Sequence, residues 1–147
     1  MTKLLKKVGL SLFASLTLAL LLGACSSMSM DQNHISEVTL DGAHEVPPTN
    51  SAASGSATIK IASDKTVSGT INTRGIQGKM AHIHEGALGV NGPVLVPLTK
   101  VGDDTWEVPA GTKFTDAQYA SYLAGKLYVN VHSASNPGGE IRGQILP

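Results

Sequence analysis

Along most of this chain, hydrophobic and polar residues alternate with a period of two. Gly55-Ser56-Ala57-Thr58-Ile59-Lys60-Ile61 and Val67-Ser68-Gly69-Thr70-Ile71-Asn72 each set small or apolar residues against polar ones. That is the period of a strand with one face in a core. Ala62-Ser63-Asp64-Lys65 between them is turn chemistry, so the two runs predict a hairpin whose inward set is Ala57, Ile59, Ile61, Val67, Gly69 and Ile71. Ser36 to Leu40 reads as an earlier strand, broken by Asp41-Gly42. Val46-Pro47-Pro48 should be extended, because a residue before proline avoids the helical region. Met80 to Glu85, Val94 to Leu98, Thr105 to Val108, Leu127 to His132 and Glu140 to Ile145 supply further strands. The period changes once. Thr115 with Gln118 fits a capping box, Asp116 suits a first turn and Gly125 a stop. This predicts one short helix near 115–124, with Tyr119, Tyr122 and Leu123 packing from it. Many short strands, one helix and frequent Gly and Pro predict an all-β fold, a Greek-key-like antiparallel β-sandwich or barrel.

The start of the chain departs from this pattern. Lys3, Lys6 and Lys7 precede an almost uncharged apolar run from Val8 to Leu22, and Leu22-Gly23-Ala24 leads into Cys25, the one cysteine. The arrangement is that of a secretory signal, and its last four residues resemble the bacterial lipobox. Residues 1–24 are therefore expected to be a lipoprotein signal peptide and Cys25 the lipidated residue that anchors the protein to a membrane. Ser26 is not the aspartate that would resemble an inner-membrane retention signal. The expected location is the bacterial cell envelope, at the outer membrane where the cell has two. Residues 25–34 read as the lipidated cysteine and a flexible tether, and 35–147 as one folded domain. Met28, Met30 and His34 near the tether are soft metal-donor types, but linker composition explains them and no function is placed there.

Charge and motif content remove several function classes. The full chain carries 11 basic and 11 acidic residues; without Lys3, Lys6 and Lys7, 8 basic remain against 11 acidic, a net of −3. No basic patch is visible, so nucleic acid is not an expected partner. Asn91-Gly92-Pro93 is a turn without phosphate-loop spacing, which argues against a nucleotide. No Ser or Cys sits in a nucleophile elbow. The sequence therefore points toward binding more than catalysis.

The remaining chemistry lies in histidine. Ala81-His82-Ile83-His84-Glu85-Gly86 holds two of the chain's five histidines. On a strand, His82 and His84 share one face and Ile83 takes the other. Two imidazoles side by side are half of a metal site.

The larger motifs resemble a known family. Leu40-x-Gly42-x-x-Glu45-Val46-Pro47-Pro48, Ala81-His82-Ile83-His84 with Gly86 and Asn91-Gly92-Pro93-Val94, Gly125-x-Leu127-Tyr128-Val129-Asn130-Val131-His132, and Asn136-Pro137-x-Gly139-Glu140-Ile141-Arg142-Gly143-Gln144 together resemble the chordin-type CHRD domain. The resemblance runs from about residue 36 to the C-terminus and implies the fold more firmly than a function. A second resemblance, to copper-zinc superoxide dismutase, is carried by the His-x-His strand, the later Val-His strand and the Gly-Gly-x-Ile-Arg-Gly-x-Ile segment. It implies copper ligands at His82, His84 and His132 and an anion-guiding arginine at Arg142. This chain lacks the bridging histidine, the zinc cluster and the disulfide of that family.

Strand period supports the same grouping independently. Leu127, Val129 and Val131 should face the core and Tyr128, Asn130 and His132 away from it; Ile141, Gly143 and Ile145 inward and Glu140, Arg142 and Gln144 outward. The three histidines and Arg142 then fall on outer faces. Three imidazoles suit copper or zinc; the superoxide dismutase resemblance implies copper, and Met80 on the same face, a candidate extra ligand, is a soft donor that favours it too. Arg142 offers an anion site, and Glu85 and Glu140 are candidates for fixing the imidazoles' orientation. The leading function is a lipid-anchored metal-binding domain. An envelope adhesion or protein-interaction module with structural histidines stands beside it, and a superoxide dismutase-like redox enzyme third.

Overall fold

A computed structural model describes residues 33–147. Among these residues, nine strands and one α-helix form in the order β1 (His34–Asp41), β2 (Ser54–Ile61), β3 (Val67–Arg74), β4 (Gly78–Glu85), β5 (Val94–Pro97), β6 (Thr99–Lys100), β7 (Thr105–Glu107), α1 (Asp116–Leu123), β8 (Leu127–Ser133) and β9 (Ile141–Ile145). A 3-10 turn at Gly42–His44 follows β1. The signal-peptide and Cys25 expectations lie outside the described residues. Among the described residues no helix is long and apolar enough to cross a membrane.

All nine strands belong to one sheet, ordered β5-β4-β8-β9-β1-β2-β3-β7-β6, and every pairing in it is antiparallel. The two edge strands, β5 and β6, are neighbours in sequence with only Leu98 between them. Leu98 donates its N–H to the Ala81 carbonyl at 2.9 Å, and Lys100 reaches the Gly78 carbonyl at 3.0 Å. The chain thus passes from one edge of the sheet to the other and nearly closes a barrel. Closure leaves little exposed edge to template unwanted pairing.

The predicted hairpin forms as β2 and β3, in register from Ile61↔Val67 to Ser54↔Arg74. Ala57, Ile59, Ile61, Val67 and Ile71 are all buried in the core they share with Leu40, Ile83, Val129, Val131, Ile141 and Ile145. Each fully buried Ile, Leu or Val contributes about 1.5–3 kcal/mol relative to an exposed one. The helix carries the predicted capping box: Thr115 Oγ1 accepts from Gln118 N, and Gln118 Oε1 accepts from Thr115 N. Gly125 adopts φ +65° just beyond its end, where a Cβ would be strained. Tyr122 is fully buried and Tyr119 packs against the core, but Leu123 is half exposed, on the side of α1 turned to solvent.

Candidate metal centre

In β4, Ala81 and Ile83 point into the core, which turns Met80, His82 and His84 to the other face. In β8, Val129 and Val131 do the same for Tyr128, Asn130 and His132. Pairing aligns these rows, with Met80 opposite His132, His82 opposite Asn130 and His84 opposite Tyr128. In β9, Arg142 stands opposite Asn130 and Gln144 opposite Tyr128. The expectation that these side chains share a face is met. They do not lie on an open surface, however: His84, Tyr128, Asn130, His132 and Arg142 are all buried. Alternation says which side of a sheet a residue takes but not what covers that side. Here the Gly- and Pro-rich segments 42–53, 86–93 and 134–140 fold back over it.

The three imidazoles converge. One ring nitrogen from each of His82, His84 and His132 lies within 4.8 Å of the other two. His84 Nδ1 is 3.0 Å from the Gly92 carbonyl, and His132 Nδ1 is 3.1 Å from that of Pro137. A carbonyl only accepts, so both Nδ1 atoms carry the proton and both Nε2 atoms present lone pairs. His132 Nε2 is 3.0 Å from His82 Nδ1, which donates to it when no cation is present. His84 Nε2 is buried and has no partner among the described residues. A buried polar atom left unpaired costs about 1–3 kcal/mol, and a cation at this point would relieve it.

Burial keeps these rings neutral. It pushes the pKa of His82 down to about 4, with the neighbouring His132 and His84 adding to the shift. Burial lowers His84 as well, against the hydrogen bond to Gly92, and the Arg142 charge lowers it further. His132 is lowered by burial, against its hydrogen bond to Pro137. The lone pairs are therefore available at neutral pH. A tetrahedral ion with metal–nitrogen distances of about 2.0–2.1 Å separates its donors by about 3.3–3.4 Å. The His82–His132 pair is already near that spacing at 3.0 Å. The widest pair, at no more than 4.8 Å, would close by at most about 1.5 Å. The group contains no carboxylate or thiolate, a nitrogen-only set that suits zinc or copper and not calcium or magnesium.

Three other expected residues, Arg142, Glu85 and Glu140, are placed differently from the roles read for them. The Arg142 guanidinium does not face an open anion site. It is 1% exposed, donates to Asn91 Oδ1 (3.2 Å) and to the carbonyls of Ala87 (3.2 Å) and Val90 (3.0 Å), and lies 3.5 Å from the Tyr128 ring centroid. It clamps the 86–93 loop. Glu85 and Glu140 orient none of the imidazoles. Glu85 Oε1 accepts from Ser121 Oγ at 2.5 Å, tying α1 to β4. Glu140 accepts from Ser51 at 2.6 Å and from Ser133, tying loops together. Main-chain carbonyls of Gly92 and Pro137 take the orienting role, and residue types give no sign of a main-chain acceptor. Met80 is opposite His132 but half exposed at the rim. His44 is exposed and paired with Asp41 at 2.7 Å, as a surface residue would be.

Three participants had weaker signals or none. Tyr128 stacks on His84, with ring centroids 4.9 Å apart and planes 8° apart, and its hydroxyl accepts from Gly92 N at 3.1 Å. Asn130 donates to Glu45 Oε2 at 3.3 Å. Both are legible as outward-facing residues of the Val-His strand. Glu45 was visible only as a family motif position. It is buried, makes no ion pair among the described residues, and burial raises its carboxyl pKa against the field of Arg142. Glu45 Oε1 and Asn130 Oδ1 are both buried without partners among the described residues.

The chain matches the family described as CHRD domain over residues 36–145. No curated protein and no solved structure gives a match.

Proposed function

We propose that this chain, which belongs to the CHRD domain family, binds one transition-metal ion, copper in preference to zinc, through His82, His84 and His132. We place it in the cell envelope, tethered by lipid on Cys25. The observation that carries the metal reading is His84. Its Nδ1–H is committed to Gly92, and its buried Nε2 has no partner among the described residues, in a ring that offers a nitrogen within 4.8 Å of a nitrogen of each of the other two. A histidine that served only to tie loops to the sheet would not need its second nitrogen kept unpaired beside two more imidazoles.

His84 and His132 would bind through Nε2, each held by its carbonyl. His82 would bind through Nδ1 once its proton sits on Nε2. Copper is favoured because divalent affinity at nitrogen sites peaks at copper. Bound there, copper would supply redox chemistry. The lipid tether rests on Leu22-Gly23-Ala24-Cys25.

Titration of the purified protein with Cu(II), and separately with Zn(II), tests the reading. One equivalent should bind, and His82→Ala and His132→Ala should each weaken binding a hundredfold or more. Equal, weak retention by all three proteins would refute it. Cys25→Ala should move the protein from the membrane fraction to the soluble one; unchanged membrane association would refute the tether.

A second reading, an adhesion or interaction module, draws on Leu88, Val90 and Val94, large apolar residues exposed in and beside the loop that covers the histidines. It predicts partner binding that is indifferent to added metal. The redox-enzyme reading has less support, because the donors of Arg142 are already engaged by that loop.

A further inference from the structure

Three imidazoles leave one position of a tetrahedral site without a protein donor, and the strand register says which side chain stands next to it. Met80 is directly opposite His132 and precedes His82 by two residues on the same strand, so it shares their face. Directly opposed residues have Cβ atoms about 4.5–5.5 Å apart, within the reach of an unbranched thioether arm.

The β4–β8 pairing slips by one residue between Gly78 and Met80. Through this bulge Gly78 stays under Trp106 and Val131 in the core, where a Cβ would come within 3.1–3.2 Å of them. Met80 keeps the histidine side. Bulges commonly re-aim side chains beside functional sites.

The approaches to the three rings are unequal. His84 lies behind the 86–93 loop and His132 against Pro137, both buried, whereas His82 is partly exposed and Met80 is 49% exposed. Met80 and His82 therefore border the open side of the cluster. A large apolar side chain gains nothing from solvent there, while its sulfur is a soft donor.

The local charge also selects. The four donors, three neutral imidazoles and a thioether, carry no negative charge. The Arg142 guanidinium lies over one face of Tyr128 and the His84 ring is stacked on the same tyrosine, so a fixed positive charge stands one ring away. A neutral donor set beside a buried cation disfavours a doubly charged ion relative to a singly charged one. Soft thioether donors select Cu(I) among the common ions. We infer that Met80 Sδ is the fourth ligand and that the ion this site holds most tightly is Cu(I).

The inference rests on the three-histidine reading, and one experiment separates the two. Under anaerobic conditions the purified protein, Met80→Leu and His132→Ala are titrated with Cu(I) against a chromogenic Cu(I) chelator, and in parallel with Zn(II). Met80→Leu should weaken Cu(I) binding tenfold or more while Zn(II) affinity stays within threefold. Copper X-ray absorption should show sulfur scattering in the wild type that the variant lacks. If Met80→Leu keeps full Cu(I) affinity, loses both ions alike, or wild-type copper has no sulfur neighbour, the Met80 assignment is wrong while the histidine site stands. If the wild type binds neither ion, or no better than His132→Ala, the histidine reading and this inference fall together. Met80 is half exposed, so Met80→Leu should melt within a few degrees of the wild type, and equal melting confirms that the comparison is between folded proteins.

Discussion

Gly92→Ala tests how the covering loop governs the centre. A Cβ on Gly92 would fall 1.6 Å from the Glu85 carbonyl oxygen and 2.7 Å from its carbon, where ordinary contact begins near 3.4 Å. The backbone of Gly92 is not in the left-handed region, so the cost is one of contact and not of φ. Relief requires a movement of about 1.8 Å, larger than a hydrogen bond tolerates. Three bonds meet here: Gly92 N to Tyr128 Oη (3.1 Å), His84 Nδ1 to Gly92 O (3.0 Å) and Glu85 N to Pro93 O (3.0 Å). At about 1 kcal/mol net each, losing them costs about 3 kcal/mol. Removing the carbonyl that orients His84 should lower metal affinity about 10–100-fold. Urea unfolding followed by fluorescence of the single, buried Trp106 measures the first quantity, and Zn(II) titration the second. Gly89→Ala is the control. Gly89 has φ +73° but nothing within 4 Å of a Cβ, so it should lose about 1 kcal/mol to backbone strain and keep its metal affinity. If Gly92→Ala unfolds within about 0.5 kcal/mol of the wild type and binds metal as well, the loop does not position His84.

Other outcomes follow from the same geometry. Because burial raises the Glu45 pKa above 4.5, its stabilising contribution is full below that value and is lost as pH rises through the raised one. Glu45→Gln supplies a donor for Asn130 Oδ1 at every pH, so its urea midpoint should exceed that of the wild type increasingly as pH rises from 4.5 to 8; a constant gap would show that Glu45 stays ionised. In the unfolded chain histidines protonate near pH 6.5, but folded His82 does so only at about 4. Metal-free stability should be full above pH 6.5 and decline toward pH 4, more shallowly in His82→Gln, as urea midpoints at several pH values would show. Ile83→Ala, in the core between the two β4 histidines, should cost about 2–5 kcal/mol. Below its melting temperature it should still bind one equivalent of metal; loss of binding in the folded state would mean that the site depends on core packing.

Much of the fold was legible because it is local. The β2–β3 hairpin follows from alternation and four turn residues, and the α1 cap from Thr115 and Gln118. The common face of His82, His84, His132 and Arg142 follows from strand period alone. What was not legible depends on contacts between distant segments. The passage from β5 across Leu98 to β6, which nearly closes the barrel, joins short edges that carry little pattern of their own. The burial of the histidine face arises from the 42–53, 86–93 and 134–140 segments, whose Gly and Pro residues announce turns but not where the turns land. The same landing turns Arg142 from an anion site into a clamp, and gives the imidazoles main-chain partners instead of Glu85 and Glu140.

If the preset Nε2 lone pairs of His84 and His132 and the Nδ1 that His82 frees by changing tautomer converge on one ion, long-range 1H–15N NMR of the imidazole rings reads it directly. In the metal-free protein at pH 7.5, His84 and His132 should appear as neutral Nδ1–H tautomers. On adding one equivalent of Zn(II), His82 Nδ1, His84 Nε2 and His132 Nε2 should shift together to coordinated values while the two carbonyl-bonded protons persist. Spectra unchanged by Zn(II), or shifts confined to exposed His44, would mean that the three rings do not hold the ion.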